Sequence, residues 1–239
     1  MTYQEHTNII QDYLSLLAYD ISNLLIVVSP AGYGKSTMIL ESLKHYPENS
    51  YLYINNYITP IEFYSLLMTA EKLVAPKILV LDDIEYSLNN KEFMGLLKSA
   101  TWESGNRRIV NYLSNFYKTK GLPAVNFTGK IILLLNEIPK KNNLFQAIID
   151  RALYYEIQMN NIEIIEAMRN EIVKRPYANL SLKIRNKIVD FIERNTIETD
   201  RISFRTLIKG YQCYLFSPYK WQTLLLNLIK TNNLNVLSR

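Results

Sequence analysis

Runs of apolar residues recur along the first part of the chain and predict buried strands. These runs occupy residues 24–28, 51–54, 78–81, 131–135 and 154–157. Segments with apolar residues at helical spacing precede the first strand, over 7–21, and separate later ones, over 59–72 and 91–104. Strands that alternate with helices are typical of a parallel sheet, so the pattern predicts an α/β fold.

From about residue 159 the pattern becomes helical throughout. Apolar periodicity covers 162–174, 182–194, 203–215 and 221–230. Breaks near Pro176, at 196–200 and at Pro218 separate these segments. We therefore expect an α/β core over 1–158, which includes an N-terminal helix, and a helical subdomain over 159–239.

The turn after the first strand carries the clearest candidate chemistry. It reads Ser29, Pro30, Ala31, Gly32, Tyr33, Gly34, Lys35, Ser36 and Thr37. This is the pattern Gly-x-x-x-x-Gly-Lys-Ser/Thr with serine at the first glycine. A strand, a glycine loop and a helix in this order bind phosphate through backbone amides and the helix N-terminus. We expect Lys35 to contact the β- and γ-phosphates and Ser36 to ligate Mg²⁺. The alternative is a chance Gly-Lys-Ser after a core strand.

Polar residues follow two of the later predicted strands. Asp82 and Asp83 follow one strand, and Asn136 follows another. The carboxyl ends of parallel strands form the edge at which such sheets bind ligands. We expect Asp82 to hold Mg²⁺ through water opposite Ser36, Asp83 to polarise the attacking water, and Asn136 to orient that water. Acids and asparagine at strand ends are otherwise ordinary surface residues.

Composition limits the compartment and the class of protein. The chain has 239 residues, of which 48% are hydrophobic and 21% charged, and this fits a folded protein. Its single cysteine, Cys213, excludes an internal disulfide and favours a reducing, cytoplasmic location. No apolar run approaches the roughly 20 residues that span a bilayer, and the N-terminus does not read as a signal peptide, so no membrane association is expected. A net charge of +5 and a pI near 9.0 permit nucleic-acid binding without indicating it.

Together these motifs resemble the AAA+ ATPase superfamily over roughly residues 20–215. Residues 29–37 resemble its Walker A loop, residues 78–83 its Walker B strand, and residues 135–136 the end of its sensor 1 strand. The layout of 91–137 is also similar, more diffusely, to small ATPases of phages, archaeal viruses and plasmids. The resemblance implies ATP as the nucleotide and Mg²⁺ as its metal.

The same resemblance gives roles to two arginines. Arg151 lies where the family places an arginine finger, and Arg205 matches the sensor 2 arginine of a lid helix. A local ion pair with a neighbouring acid is the alternative for Arg151. One departure concerns the acids, since the family usually has Asp-Glu where this chain has Asp82-Asp83. Glu85 could therefore share the role of the catalytic acid.

The resemblance also implies an architecture and an assembly. It implies a P-loop NTPase core whose five parallel strands lie in the order 5-1-4-3-2, a C-terminal helical lid, and nucleotide between them. A ring or spiral homo-oligomer follows, because an arginine finger acts on the ATP of a neighbouring subunit.

The function that we expect is that of an ATP-hydrolysing oligomer in DNA transactions. It would be a replication initiator, a helicase loader or a small helicase of a virus or mobile element. A basic aromatic segment supports DNA as the partner, and it contains Arg107, Arg108, Tyr112, Tyr117, Lys118 and Lys120. One alternative is an ATPase that remodels or regulates a protein partner from a replication or transposition complex, such as a transposase. Another is a monomeric P-loop kinase, which the helical tail and the Asn-ended strand disfavour.

Overall fold

The computed structural model describes residues 1–103, 107–112, 123–139, 143–197 and 200–234. The chain divides into two compact units. The sheet unit contains Thr7–Pro30 and Lys35–Ile157, and the helical unit contains Met1–His6, Ala31–Gly34 and Gln158–Arg239. The last change of unit along the chain falls beside the predicted boundary at 158/159.

The strands are β1 (Leu24–Val28), β2 (Tyr51–Asn55), β3 (Ile78–Asp82), β4 (Ile109–Val110), β5 (Val125–Asn126), β6 (Lys130–Leu135) and β7 (Leu153–Glu156). The α-helices are α1 (Tyr3–Ala18), α2 (Lys35–Leu43), α3 (Pro60–Ala70), α4 (Lys91–Thr101), α5 (Asn143–Ile149), α6 (Asn161–Asn170), α7 (Leu182–Arg194), α8 (Phe204–Phe216) and α9 (Trp221–Leu234). Short 3₁₀ turns cover Ser87–Asn89 and Ile172–Lys174.

The main sheet confirms the predicted topology. Its five strands lie in the order β2-β3-β6-β1-β7, and every adjacent pair is parallel. When only these strands are counted in chain order, this is the predicted order 5-1-4-3-2. All residues of β1, β3 and β6 are buried. Parallel strands covered on both faces read as continuous apolar runs, which is why the sequence pattern located them.

Helices α3 and α4 pack into the core of the sheet unit. The predicted start of α3 is confirmed, because Thr59 and Glu62 form a capping box and Pro60 occupies the first turn. The apolar stripe of α4 is buried, and its Phe93 ring lies 4.6 Å from that of Phe63 between centroids. These contacts anchor the segments that flank β3.

Several boundaries differ from the sequence prediction, two helix ends among them, and one predicted hairpin arm is confirmed. Helix α1 begins at Tyr3 rather than at residue 7 because Thr2 and Glu5 form reciprocal hydrogen bonds at its N-terminus. Helix α4 ends at Thr101 rather than at 104. The segment expected to be a strand or hairpin arm contains β4, which pairs antiparallel with β5.

The helical unit contains the predicted C-terminal helices. Asn160 and Glu163 form a capping box at α6, and Ser181 caps α7. Helices α7 and α8 approach closely at Gly210, where a Cβ atom would lie 2.5 Å from Cγ2 of Ile188. None of the described helices combines the length and the apolar character that a membrane-spanning helix requires.

Candidate active site

The loop between β1 and α2 has the backbone shape of an anion-binding turn. Among its described residues, only Gly32 and Gly34 have a positive φ, +86° and +87°. Ser29 continues the strand, and its N–H donates to the carbonyl of Leu135 at 3.1 Å. Serine therefore fits the position of the first glycine without backbone strain, and the loop can present its amides to phosphate.

A chain of hydrogen bonds joins three of the predicted site residues in the sheet unit. Lys35 is buried at the start of α2, and its Nζ donates to Oδ1 of Asn136 at 2.7 Å. The Nδ2 of Asn136 donates in turn to Oδ1 of Asp83 at 2.8 Å. The parallel pairing of β1 with β6 and of β6 with β3 brings these strand ends together. A cation, an amide and a carboxylate thus meet at the carboxyl edge of the sheet.

Asp82 lies beside this chain and is almost completely buried, with 2% of its surface exposed. Its Oδ2 accepts hydrogen bonds from Ser36 Oγ at 2.5 Å and from Tyr53 Oη at 2.6 Å. Its Oδ1 is buried and has no hydrogen-bond partner. An unpartnered buried carboxylate oxygen is costly, so this atom is suited to bind a further ligand.

Tyr53 is a site residue that the sequence analysis missed. Burial, followed by the hydrogen bond to Asp82 and the charge of that carboxylate, raises the pKa of Tyr53 to about 12. The register of β2 and β3 pairs Asn55 with Asp82, and Tyr53, two residues earlier, projects to the same face as Asn55. The alternation of side chains would have indicated this contact once the strand order was known.

The two other acids near β3 differ in their contacts. Asp83 is exposed and has φ of +55°, a conformation that L-residues adopt rarely and that is often found at functional sites. Glu85 instead accepts a hydrogen bond from the backbone N–H of Asn136. This arrangement favours Asp83 as the acid that faces a substrate and Glu85 as a residue that positions Asn136.

The donor set fits Mg²⁺. Ser36 and Asp82 offer hard oxygen atoms, and Oδ1 of Asp82 is unpartnered. No group of three or more His, Cys, Asp or Glu side chains that could hold a metal occurs among the described residues. Mg²⁺ typically takes one or two protein ligands and completes its shell with water and phosphate, so a cage of protein ligands is unnecessary.

Arg151 lies at the end of the sheet opposite to the one at which Lys35 lies. It precedes β7 and is therefore at the amino ends of the parallel strands, about 16 Å of strand away from the Lys35 edge. Its guanidinium stacks on the ring of Trp102 at 3.7 Å from the centroid, and Nη1 donates to the carbonyl of Ala147 at 2.5 Å. Within the described residues, no ion pair joins Arg151 to Asp150 or Glu156.

Arg205 lies against the glycine loop within the helical unit. A Cβ atom on Gly32 would lie 3.1 Å from Cγ of Arg205 and 2.8 Å from Oγ of Ser203. The N–H of Phe204 donates to the carbonyl of Gly32 at 3.0 Å. The first turn of α8 therefore holds the loop, and Arg205 is adjacent to it.

One arginine of the predicted DNA-binding segment lies inside the protein. Arg108 is buried, and its Nη1 donates to the carbonyls of Ala100 at 3.1 Å and Gly129 at 2.8 Å. Its placement on a DNA-binding surface was wrong because the guanidinium is enclosed by the protein. Arg107 is exposed, and Tyr112 is half-buried. The segment's remaining members, Tyr117, Lys118 and Lys120, lie outside the described residues.

Comparisons with known proteins identify the fold. No protein-family model matches the chain, and no curated protein matches it. The structure of C. elegans PCH-2 aligns with a TM-score of 0.51 at 13% identity, over 98% of this chain and 69% of that one. The Thermotoga maritima RuvB Holliday junction branch migration motor aligns with a TM-score of 0.49 at 12% identity, over 95% and 70%. The match to PCH-2 shows a shared fold, and the order of the five parallel strands is the order that the resemblance to the AAA+ ATPase superfamily implied.

Proposed function

We propose that this chain is a Mg²⁺-dependent ATPase. The observation that carries the proposal is the hydrogen-bonded chain Lys35–Asn136–Asp83 beside the Ser36–Asp82 pair. Phosphoryl transfer requires positioning and neutralisation of charge on the phosphates. This edge of the sheet supplies a cation, hydroxyl and carboxylate oxygens, and an acid held by an amide.

The role of each residue follows from the chemical groups that it presents. Lys35 neutralises the β- and γ-phosphates, and the amides of the glycine loop bind the same groups. Ser36 and the free Oδ1 of Asp82 would hold Mg²⁺, which neutralises phosphate charge when bound. Asp83 polarises the attacking water, and Asn136 orients both that water and the carboxylate of Asp83. We assign no proton transfer to Glu85 because its carboxylate is engaged with the backbone of Asn136.

Substitutions at these residues test the assignment. Lys35→Ala should abolish hydrolysis, whereas Lys44→Ala, at an exposed lysine just beyond the same helix, should not. Asp83→Asn should retain nucleotide binding and lose about 10²–10⁴ in turnover, the usual contribution of a positioned acid or base. Phosphate release and titration with a fluorescent ATP analogue measure the two effects. Loss of turnover in Glu85→Gln but not in Asp83→Asn would overturn the choice of acid.

The active form that we propose is a ring or spiral homo-oligomer. Arg151 is at the sheet edge away from Lys35 of its own chain, so it is available to a neighbouring subunit as an arginine finger. Its exposed guanidinium has no ion pair with the adjacent acids in the described part of the chain. Arg205, beside Gly32, is our candidate for the sensor 2 residue that responds to the γ-phosphate.

We further propose DNA as the partner, in replication or a related transaction of a virus or mobile element. The support is the net charge of +5 and the exposed Arg107 beside the hairpin strand β4. Arg107→Ala should weaken DNA binding and lower the slope of log affinity against log salt by about one. An unchanged slope would remove Arg107 from the interface, and absence of DNA binding by the wild type would favour a protein partner instead.

A further inference from the structure

We propose that Tyr53 is a positioning residue for the metal site, which fixes the Asp82 carboxylate so that Oδ1 remains the atom available to the metal shell. The inference rests on the proposed Mg²⁺-dependent ATPase and adds a residue from a strand that the motifs do not include. Tyr53 does not contact substrate in this proposal, because it acts through Asp82.

The geometry of the carboxylate carries the inference. Oδ2 of Asp82 accepts two hydrogen bonds, from Ser36 Oγ at 2.5 Å and Tyr53 Oη at 2.6 Å. Oδ1 accepts none and is buried. Two donors converging on one oxygen oppose rotation of the carboxylate about χ2. The two oxygens therefore have different roles before any ligand arrives.

The two donors are not equivalent. In the proposed function Ser36 presents its hydroxyl oxygen to the metal, so the hydrogen bond from Ser36 to Asp82 must adjust when the metal binds. Tyr53 is not a metal ligand, and it can keep the same hydrogen bond to Asp82 throughout. The hydroxyl of Tyr53 is thus the constant anchor of the site. Partners that orient a metal ligand in this way commonly contribute 10–100-fold to metal affinity.

The strand pairing explains why Tyr53 is held in place. Strands β2 and β3 pair in register, with Tyr53 opposite Val80 and Asn55 opposite Asp82. Nδ2 of Asn55 lies 3.4 Å from Oη of Tyr53 and donates to it. The phenol is therefore fixed by the sheet and by a neighbouring amide, while its proton is directed to Asp82. A flexible surface tyrosine could not orient a carboxylate in this way.

The experiment compares Tyr53→Phe with Tyr51→Phe. Both changes remove a hydroxyl from the same strand, but Tyr51 pairs with Ile78 at the far end of β3 from Asp82. Mn²⁺ serves as the spectroscopic probe, and electron paramagnetic resonance measures its affinity with a non-hydrolysable ATP analogue present. Nucleotide affinity without metal is measured in EDTA, and thermal unfolding gives the stability of each variant.

Tyr53→Phe should weaken Mn²⁺ binding about tenfold or more, with nucleotide affinity in EDTA unchanged. Tyr51→Phe should match the wild type in both measurements. If Tyr53→Phe binds Mn²⁺ with wild-type affinity, even with lowered thermal stability, then Tyr53 has only a structural role. This outcome overturns the inference and leaves the proposed function intact. If the wild type binds no Mn²⁺ with nucleotide, the proposed function and this inference both fail.

Discussion

Replacing the buried Arg108 with methionine should destabilise the protein, whereas the same change at the neighbouring, exposed Arg107 should not. Arg108→Met keeps the aliphatic part of the side chain and removes the guanidinium, which bonds two backbone carbonyls and lies 5.3 Å from the centroid of the Phe127 ring. Hydrogen bonds to a charged group contribute about 1.5–3 kcal/mol each. Release of the buried charge, whose desolvation lowers the pKa of Arg108, offsets part of that loss.

We therefore expect a net loss of about 3 kcal/mol, because the carbonyls of Ala100 and Gly129 are left without this donor. For a chain of this size, such a loss lowers the midpoint of thermal unfolding by roughly 6–12 °C. Circular dichroism or calorimetry measures the shift. Arg107→Met is the matched control and should change the midpoint little, since surface substitutions usually alter stability by less than about 0.5 kcal/mol.

Two results would refute this reasoning. The first is an Arg108→Met variant that unfolds at the wild-type temperature. The second is an equal decrease of the unfolding midpoint in both variants, which would mean that the burial of Arg108 does not account for its contribution to stability. Below its unfolding transition, Arg108→Met should also bind DNA with the wild-type salt dependence, because its guanidinium lies inside the protein.

Three further predictions follow from the site and the helical unit. Gly32→Ala should weaken nucleotide binding at least tenfold, since the new Cβ would be strained at φ of +86° and would clash 2.8 Å from a serine hydroxyl; titration with a fluorescent ATP analogue measures this. Arg151→Ala and Lys35→Ala subunits should each be inactive alone and regain ATPase activity when mixed, because one supplies an intact phosphate loop and the other the arginine. Burial lowers the pKa of His6, so folding stability should fall as pH drops below about 6.5 and level off once the folded-state pKa is passed; urea unfolding of the wild type and His6→Gln should show this loss in the wild type alone.

Controls make each of these results specific. A Cβ atom on Gly95 in α4 would have nothing within 4 Å, so Gly95→Ala should leave nucleotide binding intact and stabilise the helix by up to about 1 kcal/mol. A mixture of Arg151→Ala and Lys35→Ala that stays inactive despite demonstrated co-assembly would contradict an arginine acting between subunits. His45 is exposed, and His45→Gln should retain the wild-type pH dependence of stability.

The sequence allowed the fold and much of the candidate site to be predicted because their signals are local. The glycine loop ending in Lys35 lies between a strand and a helix that each have their own periodicity. Asp82 and Asn136 come at the ends of short apolar runs, which are typical of a buried strand. When these strands are paired in parallel in the order that the resemblance implies, the result is the observed sheet.

The parts that were missed depend on contacts between distant segments. Tyr53 becomes a site residue only through the pairing of β2 with β3. Arg108 finds its acceptors at Ala100 and Gly129, and carbonyl groups leave no mark in a sequence. Period-two alternation would still have separated Arg107 from Arg108, because neighbouring side chains of an extended segment project to opposite faces.

The left-handed backbone of Asp83 bears on why this chain has aspartate where the Walker B pattern that it resembles ends in glutamate. Aspartate and asparagine tolerate a positive φ better than most other residues with a side chain, since their short polar groups can bond locally. Glutamate lacks this advantage and is one methylene longer. Restoring the usual acid with Asp83→Glu would therefore change the reach of the carboxylate and the ease of the turn together. At this position one small side chain therefore meets two requirements, tolerance of the left-handed backbone and a carboxylate at the end of the strand.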